Sequence, residues 1–124
     1  MTANAATIVV RLNDIAHWTA RMRRHIGDAD YATFERDPMM QDAVIRCLEV
    51  IGEAAGQILK IDPDAGSNFP TLALRQAYRA RNRSSHGYGS VSLDVIWQTA
   101  TVDAPNLAES TVDVLRMLSS SKPE

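Results

Sequence analysis

A short segment of the chain contains the side chains best suited to chemistry: Arg81, Asn82, Arg83, His86 and Tyr88. RNA cleavage without a metal needs a base for the 2′-hydroxyl proton, an acid for the leaving 5′-oxygen, and cations beside the charged phosphorane. Histidine and arginine can supply all three. The segment therefore indicates a candidate RNA-cleaving site.

Helical spacing brings part of this set together. On an ideal helix Asn82 and His86 are four residues apart and share a face, as do Arg79 and Arg83. We therefore count Arg79 and Arg83 as candidate RNA-binding residues.

Arg81 is placed differently, because it precedes His86 by five positions. It reaches the same substrate only through its length, or because the helix unwinds at Ser84 and Ser85. Paired serines near a helix end favour such unwinding, since their hydroxyls compete for backbone hydrogen bonds.

The charge distribution supports an anionic ligand at this place. The net charge of −2 argues against a protein that coats nucleic acid. However, residues 65–93 contain no Asp or Glu and include four arginines. Each piece also has a structural explanation: arginines on a solvated face, a histidine at a helix C-terminus, a packed tyrosine ring. Taken separately, none of these residues would indicate an enzyme, and the prediction depends on their occurring together in one segment.

The surrounding pattern predicts helices throughout. Ile8, Leu12, Ile15, Met22 and Ile26, with Thr19 at the skipped position, predict a first amphipathic helix. A break at residues 27–30 precedes a half-helix at 31–34.

A second helix follows, with Asp37 as its N-cap and Pro38 at its first position. Paired apolar residues along it predict burial on a wide face. A third helix is predicted from Pro70 to about His86, with Gly87 as its C-cap.

Ser92 can cap a helix that begins near Leu93. Pro105 predicts a kink or a restart capped by Asp103. The sum is an all-α, up-and-down bundle of four or five helices in one domain, residues 1–124, with a frayed tail at 119–124.

The order Arg81-x4-His86-x-Tyr88 resembles the signature of the HEPN superfamily, specifically its HepT-like toxins. Residues 41–55 resemble the second helix of that family, and residues 93–99 and 103–107 its fourth. The resemblance covers most of the chain.

This resemblance implies a HEPN-like bundle with metal-independent endoribonuclease activity. Arg81 and His86 would then be catalytic, with Asn82 at the polar position that family sites use. It also implies a homodimer with one composite cleft. A physical argument agrees, because two His86 side chains can serve as base and acid.

The resemblance further implies a cognate antitoxin, a minimal nucleotidyltransferase, which in some pairs attaches AMP to the tyrosine matching Tyr88. Two alternatives stay open: a non-catalytic HEPN module that binds such a nucleotidyltransferase, and a purely structural helical dimer.

Other features predict absences. We expect no secretion signal and no membrane span, and so a cytoplasmic protein. The lone Cys47 and the scattered histidines predict no structural metal, and we expect no cofactor.

A few residues outside the motif are secondary candidates. Arg21, Arg23 and Arg24 can extend a nucleic-acid surface unless Asp28 and Asp30 neutralise them. His17, His25, Trp18 and Trp97 are expected to be packing or surface residues. Glu53 is expected to be partly buried and paired with an arginine of the motif helix, as an orienting group.

Overall fold

The computed structural model describes residues 2–65 and 92–120, with side chains up to residue 118. Five α-helices lie in these ranges: α1 (Ala3–Ile26), α2 (Tyr31–Glu35), α3 (Pro38–Ile61), α4 (Leu93–Gln98) and α5 (Ala104–Ser120). A π-helical turn, Thr99–Asp103, joins α4 to α5. No strand occurs in the described ranges, and the prediction of an all-α bundle is confirmed. The helix predicted from Pro70 to His86 lies outside them.

Local hydrogen bonds and backbone conformation explain where the first helix begins and ends. The Thr2 hydroxyl accepts a hydrogen bond from the Ala5 N–H at 3.1 Å, which satisfies a donor that the helix start leaves free. At the other end the Gly27 N–H donates to the Arg23 carbonyl at 2.9 Å. Gly27 has φ of 56° and ψ of −131°, a conformation that side chains disfavour, so the helix stops there.

The next two helices are both capped by aspartates. Asp30 accepts from the Thr33 N–H at 2.9 Å and begins α2. Asp37 accepts from the Met40 N–H at 3.0 Å, and Pro38 takes the first position of α3, as predicted. The Gln41 side chain fastens the two helices together, because its amide donates to the carbonyls of the last turn of α2.

The core lies between α1 and its neighbours. α1 packs along α3 and also against α5, while α2 packs against α3 and α4. The predicted stripe of α1 is confirmed: its buried residues are Leu12, Ile15, Thr19, Met22 and Ile26. The wide burial predicted for α3 is also confirmed, with nine buried residues from Val44 to Ile58.

Three aromatic rings hold α2 against α4. The Trp97 ring centroid lies 5.0 Å from that of Phe34 and 6.2 Å from that of Tyr31. These separations are typical of favourable ring packing. Since α4 is only six residues long, this aromatic cluster accounts for much of its attachment to the bundle.

Of the two alternatives predicted at Pro105, a kink or a restart capped by Asp103, the restart is wrong. Asp103 lies inside a continuous helical path, in the π-helical turn, and Ala104 donates its N–H to the Thr99 carbonyl. Pro105 has no N–H, and its ring crowds the preceding turn, so a wider turn before it relieves the crowding without breaking the helix. At the start of α4, Ser92 is the N-cap residue, as expected, but it makes no capping hydrogen bond with its side chain.

Candidate nucleic-acid interface

The residues predicted to carry the chemistry fall outside the described ranges. They are Arg79, Arg81, Asn82, Arg83, His86 and Tyr88. Their roles therefore stay predictions. The described helices are those on either side of this segment in the chain.

The ends of the two flanking helices are well defined. The Asp62 N–H donates to the Ile58 carbonyl at 2.9 Å, and the Ala65 N–H donates to the Asp62 carbonyl at 3.0 Å. Ala65 itself is fully buried. On the other side, α4 follows Ser92 and is fixed to α2 by the aromatic cluster. The described residues on either side of the candidate segment therefore belong to one packed bundle.

Glu53 does not have the predicted burial. It is exposed, and its carboxylate accepts a hydrogen bond from the Gln57 side-chain amide at 3.1 Å. The reason is its place on α3: at about 100° per residue, Glu53 lies roughly opposite the buried Ile51. The expectation of a partly buried carboxylate is therefore wrong, and the predicted pairing of Glu53 with an arginine of the motif helix lies outside the described residues.

A basic face occupies the exposed side of α1. We define the basic face of α1 by His17, Trp18, Arg21 and Arg24. His17, Arg21 and Arg24 are exposed and follow an i, i+4, i+7 spacing, which places them on one side of the helix. Trp18 is half-buried at its edge and packs against the core. Three cationic or titratable groups and one indole therefore share a continuous surface.

Arg21 and His17 both contact the Trp18 ring through their flat groups. The guanidinium carbon of Arg21 lies over the Trp18 ring, 4.7 Å from its centroid. The His17 ring meets Trp18 edge-on, with centroids 6.0 Å apart and an angle of 81° between the planes. A cation over an indole face is an attractive arrangement, and here it favours the observed position of the guanidinium.

Two nearby carboxylates, those of Asp14 and Asp30, are engaged elsewhere. Asp14 pairs with Arg11 at 3.1 Å. Hydrogen bonds from the backbone and hydroxyl of Thr33 hold the pKa of Asp30 below its usual value, since this carboxylate caps α2. Among the described residues, neither Arg21 nor Arg24 forms an ion pair. Within the described ranges, no ion pair joins Asp28 or Asp30 to Arg21, Arg23 or Arg24, so the neutralisation that the sequence allowed is not observed.

The buried thiol of Cys47 lies on α3, near the guanidiniums of Arg21 and Arg46. Burial raises the pKa of the Cys47 thiol, and the nearby guanidiniums of Arg21 and Arg46 act in the opposite direction. Because the burial effect is the larger, the thiol stays protonated near neutral pH and is a packing group. Both arginines thus lie near the same point of the α1–α3 contact.

Two further observations concern ligands and membranes. In residues 2–65 and 92–120, no group of three or more His, Cys, Asp or Glu side chains is arranged to hold a metal ion. In the same ranges, no helix is long and apolar enough to cross a membrane.

The sequence-based interpretation of the aromatic residues was correct but incomplete. Trp18 and Trp97 pack, and His17 and His25 are exposed, as expected. The stacking of Arg21 on Trp18 was not predicted. Its signal was the i, i+3 spacing of an indole and a guanidinium, which brings two side chains together on a helix surface.

Comparison with known proteins agrees with this description. A family described as "Ribonuclease HepT-like" matches residues 15–114. The matched region runs from the middle of α1 into α5, and it includes Arg81, His86 and Tyr88.

Individual relatives extend over nearly the whole chain. A Methanocaldococcus jannaschii protein whose name describes it as a candidate RNase is 30% identical over 107 residues, covering 86% of this chain and 90% of its own. A second protein of that organism, named in the same way, is 28% identical over 109 residues, covering 88% and 82%.

A Thermococcus cleftensis protein named "probable ribonuclease HepT" is 33% identical over 96 residues, covering 77% of this chain and 84% of its own. No solved structure matches. The extent of the family match and the coverage of these relatives show that the chain belongs to the HepT-like ribonuclease family.

Proposed function

We propose that this protein is a metal-independent endoribonuclease, the toxin of a toxin–antitoxin pair, acting on RNA in the cytoplasm. The observation that carries the proposal is the family match over residues 15–114, which includes an intact Arg81-x4-His86-x-Tyr88 motif. The names of the relatives support an RNase. The motif supplies the groups that the reaction needs.

In the proposed reaction one His86 removes the proton from a ribose 2′-hydroxyl, and the 2′-oxygen attacks the adjacent phosphorus. The bond from phosphorus to the 5′-oxygen breaks as a second His86, from the other copy of a homodimer, gives that oxygen a proton. Arg81 stabilises the charge on the phosphorane, and Asn82 orients the phosphate. The products are a 2′,3′-cyclic phosphate and a 5′-hydroxyl.

The decisive experiment incubates the purified protein with single-stranded RNA in excess EDTA and identifies the end groups. We expect cutting by the parent, and losses of at least about a hundredfold for His86→Ala and Arg81→Ala. An RNA with 2′-O-methyl groups should not be cut, because its attacking hydroxyl is blocked. Arg116→Ala, which removes an exposed arginine of α5, is the matched control and should cut normally.

Three results would contradict the proposal or a part of it. Absence of cutting by the parent at every concentration would favour the non-catalytic HEPN module that binds a nucleotidyltransferase. Cutting by His86→Ala at the parental rate would remove His86 from the mechanism. A strictly monomeric species that retains cutting in sedimentation experiments would remove the shared cleft.

Regulation is proposed to occur at Tyr88, where a cognate minimal nucleotidyltransferase attaches AMP. The added phosphate would pair with Arg81 or Arg83 as a substrate phosphate would, and so block the site. Tyr31 is a poor alternative target because it is half-buried in the aromatic cluster. Burial and the nearby carboxylates of Glu35 and Asp94 raise the pKa of Tyr31 and disfavour a negative group there.

Intact-mass measurement tests this regulation. Incubation with the partner, ATP and Mg²⁺ should add AMP to the parent and abolish cutting, whereas Tyr88→Phe should stay unmodified and active. Tyr31→Phe is the control and should be modified like the parent. A mass increase that persists in Tyr88→Phe would refute Tyr88 as the target.

A further inference from the structure

The basic face of α1 has no part in the proposed reaction, yet its composition calls for an explanation. From His17 to Ile26 the helix has three arginines, two histidines and no acidic residue. Arg23, Arg24 and His25 lie in the last turn, where cations complement the helix dipole. Arg21 lies before that turn, so the dipole does not account for it.

Intramolecular pairing does not account for Arg21 either. In the structure Arg21 contacts the Trp18 ring, and within the described ranges no carboxylate forms an ion pair with it or with Arg24. Asp14, three residues before His17, is held by Arg11. Two positive charges are therefore presented to solvent beside an aromatic ring, which is the surface that a planar anionic ligand requires.

We propose that the basic face of α1 binds single-stranded RNA, outside the catalytic residues, and thereby holds the substrate of the proposed ribonuclease. This inference rests on the proposed function. In it Arg21 and Arg24 contact phosphates, and the flat surface formed by Trp18 and Arg21 stacks on a base. His17 contributes a further planar group and a hydrogen-bond donor at the same surface.

The flat groups favour RNA over an acidic protein surface. Single strands expose base faces that stack on aromatic rings and on arginine guanidiniums, whereas carboxylates need only charge. The contact with the Trp18 ring already favours one position of the Arg21 guanidinium, so less rotamer entropy is lost when a base covers its other face. Proteins that bind single strands combine such stacking with a positively charged surface.

The test measures binding without cutting. The probe is a fluorescein-labelled, mixed-sequence 2′-O-methyl RNA about 16 nucleotides long, followed by anisotropy. We expect Arg21→Glu/Arg24→Glu to bind at least about tenfold more weakly than the parent, and the salt dependence of log Kd to fall by about 0.7 for each lost phosphate contact. Arg116→Glu/Lys60→Glu makes the same charge change on α5 and α3 and should leave the affinity within about twofold.

Stacking is tested separately from charge. Trp18→Leu keeps an apolar side chain against the core and should weaken binding about tenfold, whereas Trp18→Phe keeps a ring and should stay within about threefold. Circular dichroism establishes that each variant is folded. Equal binding by Trp18→Leu and Trp18→Phe in folded proteins would refute the stacking role.

Cleavage kinetics connect the face to the substrate. With a long RNA the double arginine variant should raise KM about tenfold and leave kcat within about twofold, because these residues do not touch the reacting atoms. If the parent does not cut RNA, the proposed function fails, while the anisotropy result still decides whether this face binds RNA. Parental affinity in the double variant, or an equal loss in Arg116→Glu/Lys60→Glu, would overturn the inference. The inference would also be overturned if the double arginine variant bound RNA like the parent but no longer bound the nucleotidyltransferase.

Discussion

Replacing Thr19 with valine is expected to stabilise the protein. Thr19 is 1% exposed, and its hydroxyl has no hydrogen-bond partner among the described residues. Other threonines of these helices donate to the carbonyl four residues earlier, as Thr111 does to Leu107 at 2.9 Å. A buried hydroxyl without a partner is a net cost to folding, because it gives up its hydrogen bonds to water.

The size of the effect follows from that cost. Leaving such a group unsatisfied costs about 1–3 kcal/mol, and valine removes the cost while it adds a buried methyl group. Both residues are β-branched, so the helix propensity hardly changes. Allowing for some crowding by the methyl group, we expect Thr19→Val to raise the free energy of unfolding by about 1–2 kcal/mol. For a chain of this length that corresponds to roughly 4 °C in Tm per kcal/mol.

The assay is urea denaturation, with Thr111→Val as the matched control. Thr111 is 0% exposed on α5, and its substitution removes a hydrogen bond that is made. Thr111→Val should therefore give no gain and lose up to about 1 kcal/mol. The reasoning is refuted if Thr19→Val lowers the free energy of unfolding, or if the two variants change it equally.

Three further predictions concern the local structures described above. Trp97→Ala should lower the free energy of unfolding by about 3–5 kcal/mol, because it removes the ring that Phe34 and Tyr31 contact; Trp97→Phe should recover much of the loss in the same denaturation assay. Gly27→Ala should cost about 1–3 kcal/mol through its backbone conformation alone, since a Cβ there meets nothing within 4 Å, and a Tm equal to that of the parent would contradict this. Asp30→Asn keeps a capping side chain but loses the charge. Because folding lowers the pKa of Asp30, the contribution of that charge is present above about pH 4 and is lost as the pH falls further, so the Tm difference from the parent should shrink as the pH is lowered below about 4.

The helices of the described ranges were largely predictable, because local chemistry determines them. The apolar stripe of α1 and the Asp37–Pro38 start of α3 depend on contacts within a few residues, and the structure has both. The response to Pro105 was not predictable. A missing N–H and a crowded turn can be accommodated by a break or by a wider turn, and the local sequence does not decide between them.

The candidate site was predictable to a different extent. Arg81 and His86 were identified by their spacing and by the family resemblance, and the family is confirmed, but no described residue tests their roles. The prediction for Glu53 was wrong because it did not consider which side of the helix the residue occupies. An acid in a strongly apolar helix was expected to be partly buried, whereas Glu53 lies on the exposed side of α3. Trp18 and Arg21 were each interpreted alone, and the contact between their side chains was therefore not predicted.

The π-helical turn at Thr99–Asp103 also affects how sequences of this family correspond to one another. Such a turn uses one residue more than an α-helical turn, so it is equivalent to a single-residue insertion inside an otherwise continuous helix. A relative whose last helix lacks the turn should be one residue shorter at this point. Its alignment with this chain then requires a gap within a helix, and an alignment without that gap would pair every residue after Asp103 with the wrong partner.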